Sequence, residues 1–437
     1  MQAAKTASSL PEWTGGDVPR KARGTALPVT MRGMEPRLPL RILAIAPYAA
    51  YPPVGGGKLR IYHLLQEWMR LGHEVTLWVA PLDEPELAWS PGELQPRMSA
   101  LRARSRSSLR SKLSSVLSTL PEEVWARPPL MGSREDGPER FDLVVLMQAH
   151  MGRYATAFTA AGTPVILDQQ NVETHISGEI ARLAPTWMGR SRARLDILKW
   201  RSYETDLLGR VRRTVAVSEA DAQAFRRMAP SASVVVRPSG ADLRSLNYVD
   251  HSENRGDRLI MTGTLGYLPN LDAANWMIDR ILPLVRTVRP DARLVLVGAS
   301  APESLIRRAG DSVEIAGRVP DVRPYLDGAD LFVAPLRAGG GTRLKLLEAF
   351  AVGLPVVATT VASAGLAVRS GVDLASADDE EAFAEEVIRL LIDVPGRLAM
   401  AQSARRLVEE RYDWRSIAAQ YEEDLYGVAL GEKASPT

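Results

Sequence analysis

Residues 329–360 read ADLFVAPLRAGGGTRLKLLEAFAVGLPVVATT, and this stretch narrows the possible folds more than any other. The apolar run Leu331 to Ala334 has the length of a buried strand. Three glycines follow (Gly339, Gly340, Gly341), then a helically spaced segment with Arg343, Lys345 and Glu348, then a second apolar run from Pro355. Strand, glycine loop, helix, strand is a βαβ crossover. Its turn opens backbone amides and a positive helix end to an anionic ligand. A carboxylate one to two turns into that helix can accept hydrogen bonds from a ribose. Two cations and one acid this close to the glycines favour a nucleotide-sugar site over a plain crossover.

The alternation extends along the chain. RILAIAP, HEVTLWVA, FDLVVLM, PVILD, RTVAVS and SVVVRP read as strands. Between them lie helices near 58–71, with Ile61, Leu65 and Trp68 on one face, near 151–161, over a long region 179–209, and from Glu219. A second series contains DRLIMTG, RLVLVG, SVEIAG and ADLFVAP, with the amphipathic helix LDAANWMIDRILPLVRTV after its first strand. The expected fold class is α/β, with two Rossmann-like, doubly wound parallel sheets. At 437 residues the chain exceeds one ordinary core. We expect a tail at 1–37, a first domain at 38–240, a second at 241–412, and a C-terminal helix and tail at 413–437. That helix, YDWRSIAAQYEEDLY, has Trp414, Ile417, Tyr421 and Leu425 on one stripe. It packs either on the second domain or back across the first.

Residues 84–140 interrupt the alternation as a variable insertion. The part around 100–120 carries Arg102, Arg104, Arg106, Arg110 and Lys112, with Leu109, Leu113, Val116, Leu117 and Leu120 at helical spacing. Such a helix can lie on an anionic membrane surface, or dock on its own domain through the leucines. The formal net charge of +2 gives no indication of a nucleic-acid partner. Cysteine is absent, which excludes disulfides and thiol chemistry and fits a reducing compartment. No stretch approaches the ~20 apolar residues of a membrane span, and the N-terminus lacks the apolar core of a secretory signal. A cytoplasmic protein, peripheral at the inner membrane face if the basic helix binds lipid, is expected. Met31 or Met34 offers an alternative start.

Several segments together resemble the GT-B glycosyltransferases, and most closely family 4, the retaining transferases that use nucleotide sugars. They are PYAAYPPVGGGKLRIYHLL from Pro47, ILDQQNVE at 166–173, AVSEAD at 216–221, GTLGYLPNLDA at 263–273, GRVPDVRPYLDGAD at 317–330 and RAGGGTRLKLLEAFAVGLPVVAT at 337–359. The resemblance covers about 39–428 and points to the subset that builds polysaccharides and other glycoconjugates. It implies two domains facing a cleft, with the nucleotide on the second and the acceptor over the first.

The resemblance implies that Glu348 binds the ribose hydroxyls, that Arg318 and Val319 lie by the nucleobase, and that His150 helps to position the donor sugar. Gly55, Gly56 and Gly57 would let the first-domain loop approach the diphosphate or acceptor closely. Asp168, Asn171 and Glu173 end a strand and can bind acceptor hydroxyls, or equally cap and order their loop. Two departures stand out. Many family members carry a second glutamate where this chain has Gly340, and Arg and Lys where it has only Thr264 to Asn270. We expect Arg343 and Lys345 to supply the charge for the diphosphate, with amides of Gly340, Gly341 and Thr342 replacing the missing carboxylate. If one cation acts alone, Lys345 is expected, as the one closer to the face of Glu348. No histidine pair has metal-ligand spacing and no Asp-x-Asp occurs, so no metal site and no further cofactor are expected.

The reading is therefore a metal-independent, retaining, hexosyltransferase-like enzyme. Its donor is a UDP-, GDP- or dTDP-sugar, and its acceptor a glycan, a lipid-linked sugar or a small molecule. The rival readings are a non-catalytic sugar-nucleotide-binding subunit of a partner transferase and a nucleotide-sugar epimerase on the same architecture.

Overall fold

The computed structural model describes residues 37–53, 55–80, 89, 92–101, 118–126, 140–183, 187–253, 256–338 and 344–431. The described residues from Pro39 onward form one compact unit that contains two sheets. The first has strands β1 (Arg41–Ala46), β2 (Glu74–Val79), β3 (Arg97–Ala100), β4 (Leu143–Met147), β5 (Val165–Gln169), β6 (Arg213–Ala216) and β7 (Val234–Val236), in the order β3-β2-β1-β4-β5-β6-β7. The second has β8 (Arg258–Thr262), β9 (Arg293–Val297), β10 (Val313–Gly317), β11 (Leu331–Ala334), β12 (Val356–Ala358) and β13 (Ala375–Ser376), in the order β10-β9-β8-β11-β12-β13. Every pairing is parallel.

The inner strands are continuous apolar runs because helices cover both faces of each sheet. β4 and β11 are buried along their whole length. Strand order reverses between β1 and β4 and between β8 and β11. Loops leaving the carboxyl ends of these strands splay apart there and leave a crevice.

Six helices bear on the site. They are α1 (Gly56–Arg70), α2 (Glu173–Leu183), α3 (Trp187–Arg210), α4 (Leu268–Trp276), α5 (Leu344–Ala351) and α6 (Trp414–Ala429). α1 follows β1, α4 follows β8 and α5 follows β11, so all three start at the carboxyl edges of their sheets. In the region read as helical at 179–209, the described residues belong to α2, up to Leu183, and to α3, from Trp187. Within 84–140 the structure adds a feature with no strong sequence signal: β3, a short edge strand that pairs with β2 through Thr76–Arg97 to Val79–Ala100. The basic segment 102–117 lies outside the described residues.

α6 packs on α1, where Trp68 and Tyr421 meet edge to face with ring centroids 5.2 Å apart. Arg213 of β6 donates to Asp424 of α6 at 2.8 Å. The expected stripe of Trp414, Ile417, Tyr421 and Leu425 is buried. The chain passes between the two sheets at Ala241 and again at Asp413. These passages lie side by side, with Ala241 N–H donating to the Tyr412 carbonyl at 2.7 Å.

One ion pair ties these pieces together. Arg60 of α1 donates from Nε to Asp168 Oδ1 at 2.8 Å and from Nη2 to Oδ2 at 2.7 Å. Its Nη1 donates to the Pro238 carbonyl at 2.9 Å and to Ser239 Oγ at 3.3 Å, just before the first passage. Both side chains are 0% exposed. Removing one partner of such a pair strands a buried charge and costs about 3–5 kcal/mol. Asp168→Ala should lose this much stability in urea denaturation, and the double change Arg60→Met with Asp168→Leu should recover at least half of it.

Candidate active site

A cleft of about 540 Å³ opens where the carboxyl edges of the two sheets face each other. The first sheet contributes Pro53, Gly55, Gly56 and Leu59, from the loop after β1 and the start of α1. The second contributes the loops after β8, β9, β10 and β11, including Gly263, Asn270, Gly298, Arg318, Lys345 and Glu348.

On the first-sheet side, α1 is preceded by Gly55 at its N-cap, whose φ of 92° suits glycine, and this helix end has no side-chain cap. The first intrahelical bond runs from Leu59 N–H to the Gly55 carbonyl at 3.0 Å. The amides before Leu59 therefore have no acceptor within the helix, and the positive end of α1 stands at the cleft wall. Gly57 has a different role from its neighbours. A Cβ there would overlap the Tyr48 hydroxyl, and Gln148 Nε2 donates to that hydroxyl at 2.7 Å. Gly57 is thus a close-packing position and does not line the cleft.

On the second-sheet side the floor is backbone. Gly263 leaves β8 with φ 140°, and a Cβ at Gly298 would overlap the Gly263 carbonyl. Across this floor Lys345 Nζ donates to Asn270 Oδ1 at 2.7 Å. Asn270 Nδ2 donates to the Thr264 carbonyl at 2.9 Å. Asp272, two residues further along α4, holds Arg337 by bonds of 2.6 and 3.0 Å. The P-N-x-D stretch therefore fastens the loop after β8 to the segments around β11 and α5. Neither Asn270 nor Asp272 stood out as a site residue in the sequence, although the motif itself did.

Glu348 lies one turn beyond Lys345 on the same helix face and lines the same cleft. Burial pushes its carboxyl up to about 7, while the nearby Lys345 ammonium pulls it down. Arg318 and Val319, after β10, form part of the wall formed by the second sheet. Gly340, Gly341, Thr342 and Arg343 lie outside the described residues. Helix α5 begins at Leu344, directly after them.

The remaining expected residues gather elsewhere. Asp168 is enclosed with Arg60 at 0% exposure and is not among the cleft-lining residues, so it does not meet an acceptor in this arrangement. This corrects the acceptor role considered for it; the carboxylate instead holds α1 through Arg60. His150, in the 3-10 turn Ala149–Tyr154 after β4, lies with Nε2 2.6 Å from Glu123 and Nδ1 4.0 Å from Glu173. Its ring packs edge-on against Trp200 at 5.1 Å. It is not among the cleft-lining residues. Glu173 starts α2, and burial pushes its carboxyl up to about 7 against the pull of His150. Its N–H donates to Glu204 at 2.8 Å. Asn171 lies in the loop between β5 and α2, partly exposed. Among the described residues no three His, Asp or Glu side chains gather as a metal site, and no helix is long and apolar enough to cross a membrane.

Comparison with known proteins agrees with this geometry. Residues 55–240 match the Glycosyl transferase 4-like domain, and residues 256–393 match Glycosyl transferases group 1. An uncharacterized 44.6 kDa protein in the cps region of Klebsiella pneumoniae is 22% identical over 86% of this chain and 97% of its own length. The GDP-mannose-dependent monoacylated alpha-(1-6)-phosphatidylinositol monomannoside mannosyltransferase of Corynebacterium glutamicum is 34% identical over 31% of this chain and 39% of that one. In fold, Anabaena HepE, solved in complex with UDP and glucose, superposes with a TM-score of 0.61 at 14% identity, covering 89% of this chain and 99% of that one. Two doubly wound domains whose carboxyl edges face a common cleft are the GT-B architecture of sugar-transferring enzymes. The chain belongs to glycosyltransferase family 4.

The position of Glu348 has a measurable consequence. A carboxyl raised from 4.5 to about 7 in the folded state is destabilising once ionised. Stability is lost as pH rises from the unfolded value through about 7. At pH 8 and without ligand, Glu348→Gln should therefore melt a few degrees above the natural protein, and the gap should close towards pH 5.

Proposed function

We propose that the chain transfers a sugar from a nucleoside diphosphate sugar to an acceptor hydroxyl, with retention of anomeric configuration and without a metal ion. The observation that carries this reading is the convergence of Glu348, Lys345 and the uncapped start of α1 on one cleft. Ionised Glu348 accepts from two ribose hydroxyls, bonds that are stronger than neutral ones. Lys345 and the α1 amides neutralise the diphosphate, which gains charge as the bond to the sugar breaks. Arg318 and Val319 flank the nucleobase. The UDP bound to HepE and the GDP-mannose in the name of the Corynebacterium relative support a nucleoside diphosphate sugar as the donor class. The acceptor, a glycan, a lipid-linked sugar or a small molecule, approaches over the first sheet.

In the reaction the bond between the anomeric carbon and the β-phosphate oxygen breaks. The acceptor oxygen bonds to the same face of the anomeric carbon. The acceptor proton passes to the departing phosphate oxygen, and the nucleoside diphosphate leaves. Removing the ribose acceptor should weaken binding by about tenfold or more, since a hydrogen bond to a charged group contributes about 1.5–3 kcal/mol.

Thermal-shift titration with UDP, GDP, dTDP and ADP tests the site. One nucleotide should raise the melting temperature, and Glu348→Ala should abolish that rise. Turnover of the matching nucleotide sugar should survive EDTA, and proton NMR of the product should show the donor's anomeric configuration. Binding with neither donor hydrolysis nor transfer would identify a nucleotide-sugar-binding subunit instead.

A further inference from the structure

The cleft holds an unusual division of labour between two residues. Among the described residues Lys345 brings a cation to its floor, yet its ammonium is directed by a side chain on another element. Asn270 Oδ1 takes the ammonium at 2.7 Å, and Asn270 Nδ2 is committed to the Thr264 carbonyl at 2.9 Å. The amide has one possible orientation here. A carbonyl can only accept and an ammonium can only donate, so the oxygen must face Lys345 and the nitrogen Thr264. Asn270 is 7% exposed, and the bond to Thr264 ties it to the loop that leads into α4. The ammonium is held so close to Gly263 that a Cβ there would stand 3.2 Å from Nζ, and 3.0 Å from Asn270 Nδ2. Both polar atoms thus hang over bare backbone at the end of β8, on the strand that flanks the switch point.

A lysine has a compact charge on a flexible four-carbon stem, and its direction is fixed only by what its head meets. From α5 alone, the Lys345 head could range between Glu348 on its own helix and open solvent. Pairing with Glu348 would neutralise the carboxylate needed for the ribose as well as the cation needed for the phosphates. Asn270 is neutral, so it can hold the ammonium without cancelling its charge.

We propose that Asn270 is a positioning residue that presents the Lys345 ammonium to the donor diphosphate on the loop after β8. The proposal rests on the reading of Lys345 as the diphosphate cation. It follows that the charge can sit on either end of the hydrogen bond. Moving it to position 270 should preserve the site, whereas cancelling it in place should not.

The test compares binding of the nucleoside diphosphate selected by thermal shift with binding of the corresponding nucleoside, by calorimetry on the full chain. Lys345→Asn should weaken diphosphate binding at least tenfold and leave nucleoside binding within twofold. Asn270→Asp, nearly the same shape but able to neutralise Lys345 and unable to donate to the Thr264 carbonyl, should show the same selective loss. The transposed pair, Asn270→Lys with Lys345→Asn, should return diphosphate affinity to within about threefold of the natural protein. A residue that merely braced the loop would give no such rescue. Melting curves without ligand confirm folding, and if Asn270→Asp unfolds, the transposed pair decides alone. A transposed pair as weak as Lys345→Asn overturns the positioning role while leaving the Lys345 reading intact. Full diphosphate affinity in Lys345→Asn overturns the Lys345 reading, and the proposal with it.

Discussion

The ion pair between Arg60 and Asp168 is the interaction on which the rest of this structure depends. Two charges removed from water require nearly ideal geometry, and here a bidentate contact is completed by the Pro238 carbonyl and the Ser239 hydroxyl. That single guanidinium joins α1, the end of β5 and the segment that leads out of the first sheet. With its second turn held in this way, α1 has one direction. Its first turn reaches the cleft, and its far half lies under α6 through Trp68 and Tyr421. The first wall of the cleft is therefore positioned from behind.

The second wall is built from short connections at the other switch point. α4 and α5 both begin at the carboxyl edge of their sheet and are tied by Asn270 to Lys345 and by Asp272 to Arg337. Gly263 and Gly298 bring backbone where any side chain would fill the floor. Among the described residues the result is a cleft with a close-packed backbone floor, a directed ammonium in Lys345 and, in Glu348, a carboxyl that burial pushes up to about 7. Such a carboxyl is a cost to the empty protein. It makes sense where a ligand supplies the hydrogen bonds that its ionised form lacks, which is a common conflict between stability and function.

Much of the fold was legible because it is written in local periodicity. Apolar runs such as LVVLM and LFVA, with glycine turns and amphipathic helices between them, imply parallel strands covered on both faces, and the two doubly wound sheets follow. The edge strand Arg97–Ala100 was not legible, since it has little apolar pattern and exists only through its pairing with β2. In the site, Glu348 and Lys345 could be picked out because they share one helix with a glycine turn before it. Gly55, Gly56 and Gly57 looked alike, yet only the first two line the cleft, because Tyr48 occupies the space above the third.

The sequence by itself determined the order of the inner strands and the helices between them, the two-domain plan and the helix bearing the donor-binding candidates, because each depends on residues a few positions apart. Tertiary structure decided which polar side chains serve the cleft and which serve the frame. Asp168 ended a strand in the right place for a ligand, but its partner Arg60 lies 108 positions away, and their meeting removes it from solvent. Asn270 was one residue of the GTLGYLPNLDA segment, but Lys345, 75 positions later, is its partner at the cleft. A side chain's role follows from the charges and donors that surround it, and for these residues the surroundings come from segments that only folding brings together.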